Sequence, residues 1–188
     1  MNKESASIVE IVGGCISNNR RAQKLFYKMF YDFAFGICSR YASNKDDADS
    51  IVNEGFFKVF NQLHFYNHEK SILPWIRKIM VNTSIDFYRS NLKFDQNRDI
   101  ELYENSFSAD EQIYSKLVYE DLLSIIQRLS PNYRTVFNLY AIEGLNHTEI
   151  AEELNISVGT SKSNLFRARA KLMEMVKSLD VKPNVNVY

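Results

Sequence analysis

Residues Asn146–Leu172 read NHTEIAEELNISVGTSKSNLFRARAKL, a stretch that encodes two helices joined by a tight turn. Asn146 is placed to cap the first helix, and Glu149, three residues on, to reach back and complete a capping box. Ile150, Ala151 and Leu154 fall at i, i+1 and i+4, a short apolar stripe. Asn155 and Ile156 make the turn, and Ser157 caps the second helix. From there Val158, Leu165, Ala168 and Leu172 keep an apolar face inward, leaving Thr160, Lys162, Ser163, Arg167 and Arg169 on the rest of the surface. Between Thr160 and Lys177 stand five basic residues (Lys162, Arg167, Arg169, Lys171, Lys177) against one acidic, Glu174. Short polar side chains near a helix start can reach base edges in the major groove. Flanking Lys and Arg bind phosphates, and the helix N-terminus adds a positive dipole end. A solvated amphipathic hairpin is the competing reading, but caps, turn length and charge placement agree on a DNA-binding helix-turn-helix.

Outward from that stretch, a chain of 188 residues accommodates one domain or two small ones, and a hydrophobic fraction of 45% suffices for folded cores. Formal net charge is zero, so bulk electrostatics announce no nucleic-acid partner. The distribution says more. Residues 90–125 carry 3 basic and 8 acidic side chains, between a front of 12 and 9 and a back of 8 and 6. Cys15 and Cys38 are the only cysteines, with no CxxC and no ligand cluster, which points to a reducing compartment and no structural metal. With no charged-then-apolar leader and no apolar run near 20 residues, the expectation is a soluble cytoplasmic protein without membrane insertion.

In chain order, Ile8, Val9, Ile11 and Val12 predict a short helix ended by Gly13-Gly14. A longer helix carries Ala22, Leu25, Phe26, Met29, Phe30, Phe33, Ile37 and Tyr41 on its inward stripe. Tyr27, Tyr31 and Phe35 lie off that stripe, implying a helix packed on two sides. In SNKDDADSIVNEGFFKVFNQL, Asn44 or Asp46 caps, and Ala48, Ile51, Val52, Gly55, Phe56, Val59 and Leu63 are the buried stripe. Asp49, Asn53, Glu54, Phe57 and Phe60 do not belong to it; an exposed Phe pair beside carboxylates suits either a partner surface or packing against another helix.

HFYNHEK is a loop, and Ser71 is placed to cap the next helix, with Pro74 in its first turn. That helix turns Ile72, Trp75, Ile76, Ile79 and Thr83 inward and Arg77, Lys78, Asn82 and Arg89 outward, a set able to grip an unstacked single strand. From Asn91 to about Ser115 periodicity fails among acidic residues, which reads as a linker. A helix resumes with Leu117, Val118, Leu122, Ile125, Ile126 and Leu129. Ser130-Pro131 starts another, ending at Gly144. No strand alternation survives, so the expected fold is all-α. It has two small helical domains, 1–90 and 116–179, an acidic linker 91–115 and a patternless tail 180–188.

The order of helices and the motifs resemble a bacterial RNA polymerase sigma factor of the extracytoplasmic-function type, in the sigma-70 family, which keeps only regions two and four. The resemblance runs over roughly Leu25–Ser90 and Lys116–Val176. DADSIVNEGFFKVF resembles the clamp-binding helix of region two. LPWIRKIMVNTSIDFYR resembles its promoter-melting helix, with Trp75, Asn82, Asp86 and Arg89 at matching positions. LSPNYRTVFNLYAIEGLNHTEIAEELNISVGTSKSNLFRARAKL resembles region four.

The resemblance implies that Asp49, Asn53, Glu54 and Phe57 face the clamp of the polymerase largest subunit. It implies that the loop Asn67, His68, Glu69, Lys70 and Ser71 captures a base flipped from the −10 element, with Trp75, Lys78 and Asn82 supporting the melted strand. Thr160, Lys162, Ser163 and Arg167 would read or clamp the −35 element, with Asn146, His147, Ser157 and Arg169 on the same DNA-facing set. It also implies contact with the flap of the second polymerase subunit, an anti-sigma partner, and an acidic linker running toward the RNA exit path. Two departures stand out. Asn53 replaces a common Gln, which shortens an amide arm, and Ser161 replaces a common Val, which removes an apolar anchor just after Thr160.

No nucleophile–base pair, phosphate-cradling loop or metal-ligand cluster supports an enzyme or a cofactor. The alternative is a helix-turn-helix repressor or activator with an N-terminal ligand-sensing or dimerisation domain. That reading would put a pocket among the aromatics of residues 25–41 and bind duplex DNA alone as a dimer. A helical adaptor without DNA would leave the basic helix purposeless.

Overall fold

Asparagines set the starts of the helices that carry the first domain. Asn19 Oδ1 accepts from the backbone N–H groups of Arg21 and Ala22 at 2.9 and 3.2 Å, opening α2 (Arg20–Cys38). Asn44 Oδ1 accepts from Asp47 N–H at 2.8 Å and opens α3 (Lys45–Gln62), whose first turn holds Asp46 and Asp47 at the positive end of the dipole. The computed structural model describes residues 3–94 and 114–180, and among them there is no strand. The other helices are α1 (Lys3–Ile16), α4 (Ile72–Phe94), α5 (Tyr114–Gln127), α6 (Pro131–Ala141), α7 (His147–Leu154) and α8 (Val158–Asp180), with one 3-10 turn at Leu63–Phe65. The fold is all-α, as the pattern predicts. Most of the acidic linker, residues 95–113, and the tail 181–188 lie outside the described residues. The helix α4 runs to Phe94, past the predicted linker start at residue 91, and α5 opens at Tyr114, before its predicted end.

The chain divides into two units, Met1–Phe87 and Tyr88–Tyr188. In the first, α2 packs against both α1 and α3, which is why its aromatics spread beyond one stripe. Phe26, Phe30, Ala34 and Ile37 are buried, whereas Leu25 and Met29, predicted inward, are exposed. The α3 stripe is buried as read: Ala48, Ile51, Val52, Gly55, Phe56 and Val59, with Leu63 just beyond. From α4, Ile72, Ile76, Ile79, Met80, Thr83 and Ile85 are buried. Gly55 lets α4 close on α3, since a Cβ there would overlap the buried Met80 thioether.

The glycine pair does not end α1. The helix passes through it to Ile16, and Asn18, in the left-handed region at φ 57°, makes the turn, while Ser17 Oγ donates to Gly13 O at 2.7 Å. Gly14 serves packing instead: a Cβ there would lie 2.6 Å from the Cβ of Ala22 on α2. Gly13 has open space around it.

In the second unit α6, α7 and α8 pack on one another, and α5 reaches α8. Ile125, Leu129, Val136, Leu139, Ile150, Leu154, Leu165 and Ala168 are buried. Val158, predicted inward, is exposed at the first position of α8, and Leu122 of α5 is exposed as well. Pro131 sits at the first position of α6, and Gly144 turns the chain after it with φ 77°. Among the described residues no helix is long and apolar enough to cross a membrane.

The two neighbouring glycines should respond oppositely to the same change. Gly13→Ala should stabilise the protein by about 1 kcal/mol through helix propensity. Gly14→Ala should lose that gain to overpacking against Ala22, for a net cost of about 1 kcal/mol. Urea unfolding of the two variants checks the contrast, and Ala22→Gly should relieve the Gly14→Ala defect.

Candidate nucleic-acid and polymerase interfaces

The helix-turn-helix is built from its caps. Asn146 Oδ1 accepts from Thr148 and Glu149 N–H at 2.8 and 3.0 Å, and Asn146 N–H donates to Glu149 Oε2 at 2.7 Å, so the predicted capping box is complete. Asn155 closes α7 in the left-handed conformation, φ 52° and ψ 49°, a geometry that asparagine tolerates better than most residues. At the head of α8, Ser157 Oγ accepts from Thr160 N–H at 2.9 Å and lies 2.8 Å from Thr160 Oγ1.

The buried residues of α8 are Ser161, Leu165 and Ala168, with Leu172 and Met175 half-buried further along the same face. Ser157, Thr160, Lys162, Ser163, Arg167 and Arg169 are all exposed, and the short hydroxyls have local partners only, Ser163 Oγ donating to Thr160 O at 3.0 Å. Two tyrosines of α6 flank the basic side chains. Arg167 Nη1 lies 3.4 Å from Tyr133 Oη, Lys171 lies over the Tyr133 ring at 5.9 Å, and Arg169 over the Tyr140 ring at 5.4 Å. The two tyrosines stand at i, i+7 on α6, a spacing that puts both on one face of that helix. Phe166, 75% exposed, stands among Lys162, Ser163 and Arg167 on the outward face, and a period-3.6 projection of α8 would have found it.

His147 makes contacts within the fold. It is half-buried, with Nδ1 3.0 Å from Ser161 Oγ and its ring stacked on Tyr140 at 4.8 Å. Ser161 is 0% exposed, so the hydroxyl at the lost apolar anchor has been taken into the fold and given a partner.

On the first domain, the four α3 residues differ in freedom. Asp49 is half-buried and accepts a 2.6 Å bond from Tyr31 Oη. Asn53 is exposed and accepts from Tyr27 Oη at 3.0 Å. Glu54 and Phe57 are exposed, Phe57 by 63%. The Phe pair does not act as one: Phe60 is half-buried against Phe26 and Phe56 at 5.7 and 6.2 Å. Tyr27 in turn lies on Phe56 at 4.5 Å. The hydrogen bond to Asp49, then burial, pushes the Tyr31 phenol up to about 12.

The loop 67–71 is exposed but ordered by its own bonds. Asn67 Oδ1 accepts from Glu69 N–H at 2.9 Å and Asn67 O from Lys70 N–H at 3.1 Å, while Tyr66 Oη donates to Lys70 O. Tyr66 is buried and lies 5.5 Å from the half-buried Trp75 and 5.3 Å from His68, so it braces both sides of the loop. His68, Glu69, Lys70, Ser71, Lys78 and Asn82 point to solvent. Phe65, 77% exposed and 3.8 Å from the His64 ring, adds an aromatic beside the loop that composition alone left unassigned. Asp86, at a motif position, pairs with Lys58 of α3 at 2.9 Å.

These features define a two-domain, all-helical protein with a basic helix-turn-helix in its second domain and a polar and aromatic surface on its first. Comparison with known proteins names the family. Residues 26–93 match the model of Sigma-70 region 2, and residues 119–172 that of Sigma-70, region 4. The chain is 30% identical over 150 residues to the ECF RNA polymerase sigma factor SigM of Bacillus subtilis, covering 78% of this chain and 90% of that one. It is 35% identical over 141 residues to the RNA polymerase sigma factor SigZ of the same organism, covering 73% and 79%. A solved structure, the sigma factor RpoE in complex with the anti-sigma factor NepR from Bartonella quintana, shares the fold at a TM-score of 0.51 and 21% identity, over 85% of this chain and 98% of that one. The chain belongs to the extracytoplasmic-function sigma factors of the sigma-70 family. Its function is that of an alternative sigma factor, which directs promoter-specific initiation of transcription.

The Tyr31–Asp49 bond carries a pH signature. The phenol ionises near 10 in the unfolded chain and near 12 in the fold, so the fold holds the extra proton between those values. That contribution is fully present below pH 10 and lost as pH rises toward about 12. Tyr31→Phe should remove a late component from the tyrosinate absorbance titration, flatten the alkaline loss of stability in that window, and cost about 1 kcal/mol at neutral pH.

Proposed function

We propose that α3 meets core RNA polymerase through Glu54 and Phe57, with Asp49 and Asn53 presented by the α2 tyrosines, against the clamp of the largest subunit. The loop Asn67–Ser71 captures a base flipped from the −10 element. Trp75, Lys78 and Asn82 carry the melted strand, and Phe65 offers a further stacking face. At the −35 element Thr160, Lys162 and Ser163 meet base edges, Phe166 meets a thymine methyl group, and Arg167 and Arg169 hold phosphates. Asn146 and Ser157 serve chiefly as caps that aim their helices. Opening of the duplex is driven by binding energy, with no chemical step assigned to the chain. Region four rests on the flap of the second subunit, and the acidic linker runs toward the RNA exit path. The protein works where the polymerase does, in the cytoplasm, and is restrained by an anti-sigma factor, as the structural relative is found bound to one.

The observation that carries this reading is the division of α8. Its buried strip is a single row, Ser161, Leu165 and Ala168, and most of the remaining surface near the capped start is short-polar and basic. Transcription with purified core polymerase, followed by sequencing of run-off products from a promoter library, tests it directly; absence of any promoter-dependent product would overturn it.

Two variants sharpen the test. Glu54→Arg with Phe57→Asp changes only exposed side chains, and should abolish co-purification with core polymerase while leaving helical content and melting temperature unchanged. On the recognition helix, Arg167→Ala should weaken all −35 sequences about equally and lower the salt dependence by roughly one phosphate contact. Lys162→Ala should instead relax preference at one base position, costing about 1–3 kcal/mol for the favoured base. Holoenzyme binding across a −35 library at several salt concentrations separates the two.

A further inference from the structure

We propose that His147 is a positioning residue that latches the recognition helix through Ser161, and that it makes no base contact of its own. The inference rests on the −35 reading above and deepens it. Three observations converge. Ser161 is 0% exposed although it lies in the first turn of the DNA-facing helix, so its hydroxyl must find a protein partner. That partner is His147 Nδ1 at 3.0 Å, from the first position of α7, so the bond joins the starts of the two helices of the motif. The imidazole is itself held: its ring stacks on Tyr140 of α6 at 4.8 Å and 26°, and the same tyrosine ring carries the Arg169 guanidinium at 5.4 Å.

The consequence is a chain of contacts from α6 through α7 to α8. A valine at position 161 would fix the helix by shape alone, and would allow small rotations at little cost because dispersion contacts are not directional. A buried hydroxyl bonded to an anchored imidazole fixes the azimuth of α8, because losing alignment leaves the buried hydroxyl unpaired. Azimuth decides which side chains reach the groove. Thr160 and Lys162 are the immediate neighbours of Ser161 on either side, so rotation about the latch moves both relative to the base edges. Arg169, held over the ring that supports the imidazole, moves with the same unit.

The test is a double-mutant cycle in holoenzyme on a −35 library. His147→Phe keeps a ring to stack on Tyr140 but strands the Ser161 hydroxyl. Ser161→Val strands the imidazole nitrogen. Each single change should lower affinity for the preferred −35 sequence on the order of tenfold and flatten the ranking of −35 sequences. His147→Phe with Ser161→Val, which replaces the polar pair by an apolar one, should recover both affinity and ranking to within about twofold. Loss of fold alone would lower the active fraction without altering the ranking, and core co-purification with circular dichroism monitors it. A double variant no better than the worse single variant, or single variants with unchanged ranking, would overturn the latch. A loss confined to one base position that the double variant does not repair would mean that His147 reads DNA. Wild-type holoenzyme indifferent to −35 sequence would sink the −35 reading together with the latch.

Discussion

The architecture of the second domain depends on how little of α8 is allowed inside. Ser161, Leu165 and Ala168 are the buried strip, all of them small or medium in size, and α6 and α7 approach closely over it. A wider apolar face would have anchored the helix more firmly and left fewer positions for DNA. With so narrow a seat, orientation has to come from elsewhere, and it comes from polar geometry: the Asn146 box, the left-handed Asn155 corner, the Ser157 cap and the His147–Ser161 bond. Each is worth about 1 kcal/mol; their value is directional, since together they define where the helix points.

The first domain solves a related problem with aromatics. The helix α3 must keep its apolar stripe in the core while displaying carboxylate and amide on its far edge. Two tyrosines from α2 span the two environments, with rings against apolar neighbours such as Phe56 and hydroxyls on Asp49 and Asn53. Tyrosine suits this place because its body tolerates burial and its tip requires a partner. Tyr66 does the same under the loop 67–71, buried by its ring and bonded to a loop carbonyl. In both domains, then, exposed polar side chains and loops are held in place by half-buried or buried rings of neighbouring elements.

That division explains what could be read in the sequence. Helix existence, the α3 stripe and the capping box were legible because each depends on spacing along one helix. The pair Gly13-Gly14 looks like a helix end in the sequence, whereas the decisive fact is a neighbour of Gly14 on another helix, Ala22, whose Cβ lies 2.6 Å from where a Cβ would stand. Leu25 and Met29 were misplaced for a similar reason: a helix covered on two sides has no single hydrophobic stripe to extrapolate. The supporting tyrosines and the buried serine were silent for the same reason. Tyr31 and Asp49 are 18 residues apart, His147 and Ser161 are 14 apart, and no local pattern marks such pairs.

The two cysteines have a consequence for how this protein can be informed of its surroundings. Both thiols are buried and unbridged, and burial holds Cys15 near 11 and Cys38 near 12, with Cys38 against the Met80 thioether at 3.9 Å. At neutral pH the thiolate fraction of either is on the order of one in ten thousand or less. Peroxides and disulfides attack thiolates and need access to them, so neither cysteine is placed to sense an oxidant in the folded chain. A redox stimulus read through thiol chemistry therefore has to be sensed by another molecule and delivered as a change of binding partner.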